Sequence, residues 1–170
     1  ESFNIMKNWS PSGEYVGIEK IMILGMGGSA IGGDVARVLA QNHCLIPIIV
    51  NRSYEIPQWV DSKTLILASS YSGNTEETLS AFSLCQKRDC PIIVLSTGGT
   101  LTENAKEMKL DRVAIPKGYQ PRAALGYSLT LIILVLEHLG FIPNIVADNI
   151  KKSITPLKNL CAELNKPKNA

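Results

Sequence analysis

Five short apolar runs punctuate the chain: Ile21–Leu24, Ile46–Val50, Thr64–Ala68, Ile92–Leu95 and Arg112–Ile115. They are rich in Ile, Val and Leu and alternate little between apolar and polar. That pattern predicts strands buried on both faces of a parallel sheet. Helical patterns lie between and after them, at Ser29–Gln41, Asn74–Lys87, Leu101–Met108, Pro121–Leu139 and Ala147–Leu164. The segment Ser53–Ser62 is short and holds Pro57, which argues against a full helix there. Strands alternating with helices predict an α/β layered fold with right-handed crossovers. Ligands of such folds bind where strands end and helices begin, so the strand-to-helix turns are where chemistry is sought.

Three of those turns carry suitable residues. The first, Gly25-Met26-Gly27-Gly28-Ser29-Ala30-Ile31-Gly32-Gly33-Asp34, follows the first strand. Its glycines let the backbone approach a ligand, and the helix start beyond it offers free N–H groups to an anion. Close helix packing at Gly32 and Gly33 is the structural alternative. The turn also fits G-x-G-x-x-A, a form of the dinucleotide fingerprint. The acidic residue expected after the second strand is replaced by Asn51-Arg52, and Arg52 suits an NADP 2′-phosphate. No Gly-Lys-Ser/Thr follows, which excludes a Walker A loop.

The second turn is Ser69-Ser70-Tyr71-Ser72-Gly73-Asn74-Thr75-Glu76-Glu77-Thr78. Ser70, Ser72 and Thr75 place three hydroxyls beside a helix start. Each hydrogen bond to a charged group contributes roughly 1.5–3 kcal/mol, so three or four hold a phosphoryl group without a lysine. Capping explains Asn74 as N-cap and Glu77 as its capping-box partner, but it leaves Ser70 and Ser72 without a reason. The third turn runs from Pro116 through Lys117 and Pro121-Arg122 to Ser128. With Pro121 at the first helical position, Arg122 falls in the first turn, where a cation opposes the dipole at a cost of about 0.3–1 kcal/mol. A bound anion or a developing oxyanion would explain that placement. Lys117 reads as a surface residue.

Composition narrows the function classes. The 170 residues are 45% apolar and 19% charged, enough for one ordered domain. A net charge of +2 gives no basic face for nucleic acid. Cys44, Cys85, Cys90 and Cys161 form no C-x-x-C pair and read as small apolar residues of a reducing compartment. His43 and His138 lack ligand-spaced partners, so no metal and no cofactor is expected. Residues 1–9 carry no signal-peptide pattern, and the longest apolar stretch, Leu129–Leu136, falls short of the ~20 residues a bilayer needs. A soluble, cytoplasmic protein that does not enter the membrane is expected. Ala123–Leu139 is apolar on every side, which demands either a core position or a partner.

Together the three turns resemble the SIS (sugar isomerase) domain family, in its bifunctional phosphoglucose/phosphomannose isomerase branch. The resemblance covers roughly residues 18–142. It implies a three-layer α-β-α sandwich around a flavodoxin-like five-stranded parallel sheet. It implies aldose–ketose isomerisation of glucose 6-phosphate or mannose 6-phosphate to fructose 6-phosphate, without a cofactor. By motif position, Gly27, Gly28 and Ser29 would meet the sugar phosphate. Ser70, Ser72 and Thr75 would form the phosphate pocket, and Arg122 would stabilise the enediolate as the catalytic residue. The family's catalytic Glu and His lie in or near a second SIS domain, and neither Glu76, Glu77 nor His138 matches them. Residues 1–145 are then the SIS domain, and 146–170 a helix and linker toward a second one. The missing initiator Met and the polar 165–170 end suit a piece of a longer chain, homodimeric when whole. Two other readings stay open: a sugar-phosphate-sensing regulatory module and an NADP-binding domain.

Overall fold

The computed structural model describes residues 1–165. A short helix, α1 (Ser2–Lys7), precedes the first strand, β1 (Lys20–Leu24). There follow α2 (Gly27–Ala40), β2 (Ile48–Asn51), β3 (Thr64–Ser70), α3 (Glu76–Gln86), β4 (Ile92–Ser96) and α4 (Gly99–Glu107). The chain continues through β5 (Asp111–Ala114), α5 (Leu125–His138) and α6 (Ile145–Leu164). The five strands form one sheet in the order β2-β1-β3-β4-β5, and every neighbouring pair is parallel.

Strand side chains divide between two helical layers by the two-residue period of a strand. Ile21, Ile23, Leu65, Leu67, Ile93 and Leu95 pack with α1, α2, α5 and the start of α6. Met22, Leu24, Ile66, Ala68, Ile92 and Val94 pack with α3 and α4. β1, β3 and β4 are buried almost throughout, as their unbroken apolar runs require. The edge strand β5 alternates buried and exposed residues instead. The result is the expected three-layer α/β sandwich on a five-stranded parallel sheet.

Helix α5 lies inside this core, with Leu131 to Leu136 buried. Its close partner is α2. A side chain at Gly32 would stand 2.7 Å from the Ser128 Cβ, so the helix-packing reason for that glycine holds. Cys85 and Cys90 are buried free cysteines among the α3 and α4 contacts.

Several boundaries differ from the sequence expectation. Helix α5 begins at Leu125, not at Pro121, because Pro121–Ala124 folds as a turn in which the Gln120 carbonyl accepts from the amides of Ala123 and Ala124. Arg122 therefore lies outside the first helical turn, and the dipole argument for it fails. The N-cap of α3 is Thr75, not Asn74, so the capping box with Glu77 is not formed. The helix α1 was not expected at all. Residues Ser53–Ser62 are irregular, as Pro57 suggests. The polar end at 166–170, read as a linker, lies outside the described residues.

Beyond residue 150 helix α6 leaves the core and is exposed along its length. Ile154, Leu157, Leu160 and Leu164 form an uncovered apolar stripe there, and α2 exposes Ile31, Val35, Val38 and Leu39. Among the described residues no helix is long and apolar enough to cross a membrane.

Candidate functional site

The first and second turns meet because β1 and β3 are neighbours, with Leu24 paired to Ala68. They touch at Gly25, where a Cβ would stand 3.0 Å from the Ser69 carbonyl oxygen. The α2 helix starts at Gly27, so Gly27, Gly28 and Ser29 are its first three residues, and the amides of Gly27 and Gly28 belong to the free donors of a helix start. The Met26 carbonyl takes the amides of Ser29 and Ala30. Ser29 is buried.

The second turn is held by its own hydroxyls. Ser70 Oγ lies 2.9 Å from Thr75 Oγ1 and accepts from the Gly73 amide at 3.1 Å. Ser72 Oγ accepts from the Asn74 amide at 3.2 Å. The oxygens of Ser70, Ser72 and Thr75 are thus grouped around the opening of α3, whose first residues are Glu76 and Glu77. The turn is braced from the next strand. Gly73, at φ +73°, lies so close to the Ser96–Gly99 turn that a Cβ would come within 1.8 Å of the Gly98 carbonyl oxygen. The Gly73 carbonyl accepts from Leu101, and Asn74 Oδ1 accepts from the Thr100 amide at 2.9 Å. Asn74 is therefore a brace rather than a cap.

The third turn closes over the first. A side chain at Gly28 would meet the Pro121 carbonyl oxygen at 3.0 Å and the Arg122 Cα at 3.8 Å. Gly28 is required there for close approach, and that approach brings the exposed Arg122 beside the α2 start. The structure thus gathers Gly27, Gly28, Ser29, Ser70, Ser72, Thr75 and Arg122 at one end of the sheet, the carboxyl end of the strands. Arg52 is not free for a 2′-phosphate, since it pairs with Asp34 of α2. Glu76 accepts from the Tyr54 hydroxyl at 3.4 Å.

Sequence reasoning missed the Ser96–Thr100 brace and the reach of Tyr71. The Gly98-Gly99 pair after β4 is the signal that would have found the first. No pattern announces the second, because Tyr71 bonds to residues far along the chain. A groove of about 520 Å³ lies elsewhere. It is lined by Leu39, Leu129, Ile150 and Leu157 among others and is apolar.

This sheet and its turns, taken with the sequence relatives below, place the chain in the sugar isomerase (SIS) domain family. The C-terminal domain of glucosamine-fructose-6-phosphate aminotransferase from Francisella tularensis has the same fold, with a TM-score of 0.67 at 15% identity over 95% of this chain and 50% of that one. No family model matches the sequence. By sequence the chain is a homologue of bifunctional phosphoglucose/phosphomannose isomerases. It is 47% identical to the one from Caldicellulosiruptor bescii over 160 residues, 94% of this chain and 47% of that protein. It is also 39% identical over 122 residues to a D-glucosamine-6-phosphate 4-epimerase from Sulfolobus acidocaldarius, covering 70% of this chain and 38% of that protein. The chain spans less than half the length of these two relatives.

Proposed function

We propose that this chain is the sugar-phosphate-binding domain of an aldose–ketose isomerase that interconverts glucose 6-phosphate or mannose 6-phosphate with fructose 6-phosphate. The observation that carries the reading is the cluster of Ser70, Ser72 and Thr75 oxygens at the α3 start, beside the α2 start and Arg122. The names of the relatives share a phosphorylated sugar while their reactions differ, so phosphate recognition is the property this half supplies. In this reading the amides of Gly27 and Gly28 and the hydroxyls of Ser29, Ser70, Ser72 and Thr75 hold the phosphoryl group. Arg122 offsets the negative charge that develops on the enediolate oxygens.

Isomerisation also moves a proton between C1 and C2, which requires a positioned base. Glu76 and Glu77 belong to the α3 start, where a base would face the phosphate rather than C1 or C2. We infer that the base and the ring-opening acid come from groups outside residues 1–165, and that residues 146–170 lead toward a second SIS domain carrying them. The free cysteines and the metabolic relatives support a cytoplasmic setting.

The test is thermal unfolding with ligand, because a molecule that binds only the folded state raises its melting temperature. Fructose 6-phosphate at about a hundred times its Kd stabilises by about 2.7 kcal/mol, whereas NADPH leaves the transition where it was. Ser70→Ala removes most of the fructose 6-phosphate response. The same samples show no isomerase turnover. A transition raised by NADPH alone, or turnover by this chain, overturns the reading.

The uncovered apolar residues of α2 and α6 support a homodimer of the whole protein, with these faces in its contacts. Sedimentation of this chain is expected to show concentration-dependent self-association, and a monomer at all concentrations would count against that assignment.

A further inference from the structure

Tyr71 stands between the two serines of the second turn, yet its side chain leaves that turn. Its hydroxyl donates to the Pro116 carbonyl at 3.2 Å and accepts from the Tyr119 amide at 2.8 Å. Its own carbonyl accepts from the Thr97 amide at 3.2 Å. Tyr71 thus ties the hydroxyl turn to the end of β4 and to the segment that leads to Arg122. Among the described residues it makes the only side-chain hydrogen bonds to the backbone of residues 116–120. Its side chains add one anchor, the Tyr119 ring against Tyr127 of α5, and the Gln120 carbonyl accepts from Ala123 and Ala124; otherwise Lys117 to Arg122 are exposed and Gly118 has φ +100°. At its far end the segment rests on Gly28 through the Pro121 carbonyl. Its backbone is therefore held by Tyr71 and by the α2 start, with Tyr119 also resting on Tyr127. The ring of Tyr71 packs against the core on the α5 side, so a phenylalanine would keep the packing and lose only the two hydrogen bonds.

We propose that Tyr71 is a positioning residue that couples the two ends of the sugar-phosphate site. It fixes where Arg122 stands relative to Ser70, Ser72 and Thr75, and so aligns the reacting end of the sugar once the phosphoryl group is seated. This rests on the sugar-phosphate reading above. The hydroxyl of Tyr71 is occupied by two backbone partners, so its effect on ligand passes through Arg122.

The experiment is a double-mutant cycle on this chain with Tyr71→Phe and Arg122→Ala, read by calorimetry with two probes, inorganic phosphate and fructose 6-phosphate. Tyr71→Phe is expected to leave phosphate affinity within about twofold and to weaken fructose 6-phosphate about fivefold, the low end of what two neutral hydrogen bonds contribute because neither is made to the ligand. In the Arg122→Ala background the same substitution is expected to have almost no further effect. Equal weakening of both probes, or losses that add, overturns the coupling while leaving the sugar-phosphate reading intact. A parent chain that binds neither probe overturns both. Amide exchange at Tyr119 supplies a ligand-free measure of the tether. It should speed up in Tyr71→Phe, and unchanged exchange overturns the tether even if binding changes.

Discussion

Replacing Gly73 with alanine is expected to lower stability by about 3 kcal/mol or more and to abolish the response to fructose 6-phosphate. Two costs add. A residue with a Cβ pays about 1–2 kcal/mol in the left-handed region that Gly73 occupies. The new methyl group would also stand 1.8 Å from a backbone carbonyl oxygen, that of Gly98, which no rotamer change relieves. Overpacking of this kind typically costs about 1–3 kcal/mol. The turn can escape only by moving away from the turn after β4, which breaks the Leu101 amide bond to the Gly73 carbonyl and the Thr100 amide bond to Asn74 Oδ1. A domain of this size loses about 2–4 °C of melting temperature per kcal/mol, so a drop of roughly 6–12 °C is expected by calorimetry. A variant that melts within about 2 °C of the parent and keeps its ligand response would show that the brace is not needed.

Asp111→Ala has the second-largest expected effect, and it acts at the opposite end of the sheet. The Asp111 carboxylate accepts from the Ser12 amide and hydroxyl, both at 2.8 Å, from the Gly13 amide at 3.1 Å and from the Tyr15 hydroxyl at 2.6 Å. These bonds hold the segment after α1 against β5. Hydrogen bonds to a charge contribute roughly 1.5–3 kcal/mol each when sheltered. Ser12 and Gly13 are exposed and can turn to water, so a total loss of about 2–4 kcal/mol is expected. Asp111→Asn should lose less, since it keeps the shape and one acceptor. Trp9 reports the change by fluorescence, because its indole donates to the Arg112 carbonyl at 2.9 Å and its ring meets His138 edge-on. Burial pushes the Asp111 carboxyl up, but the hydrogen bonds from Tyr15, Ser12 and Gly13 outweigh it and hold the group below the ordinary carboxylate range. Its stabilisation is therefore full above that range and is lost as the pH falls from it through the lowered value of the folded state. The parent should lose stability on acidification more steeply than Asp111→Ala, and parallel acid profiles would refute the assignment.

The sheet was legible because burial on both faces leaves apolar runs with no polar break. β3 and β4 show this most plainly, and both extend past the predicted ends into serines that still pair. α1 was not legible, since six residues make too short a period to read. The site was legible as far as it is local. Ser70, Ser72 and Thr75 lie within one turn, so their grouping could be read from the sequence. What failed was local helix grammar overridden by tertiary contact. Pro121 looks like a helix start, but Pro121 and Arg122 are pressed against Gly28, and the helix begins later. Asn74 looks like a cap, but Thr100 claims its oxygen.

Because β1 and β3 are joined only through the β2 crossover, the glycine turn and the hydroxyl turn sit on either side of a long excursion of the chain. On the proposed reading, a molecule that has wound each half but not zipped β1 onto β3 owns both turns and would grip nothing. Sugar phosphate would then recognise only fully wound molecules, drawing them out of a refolding mixture without hastening the slow pairing of strands remote in sequence.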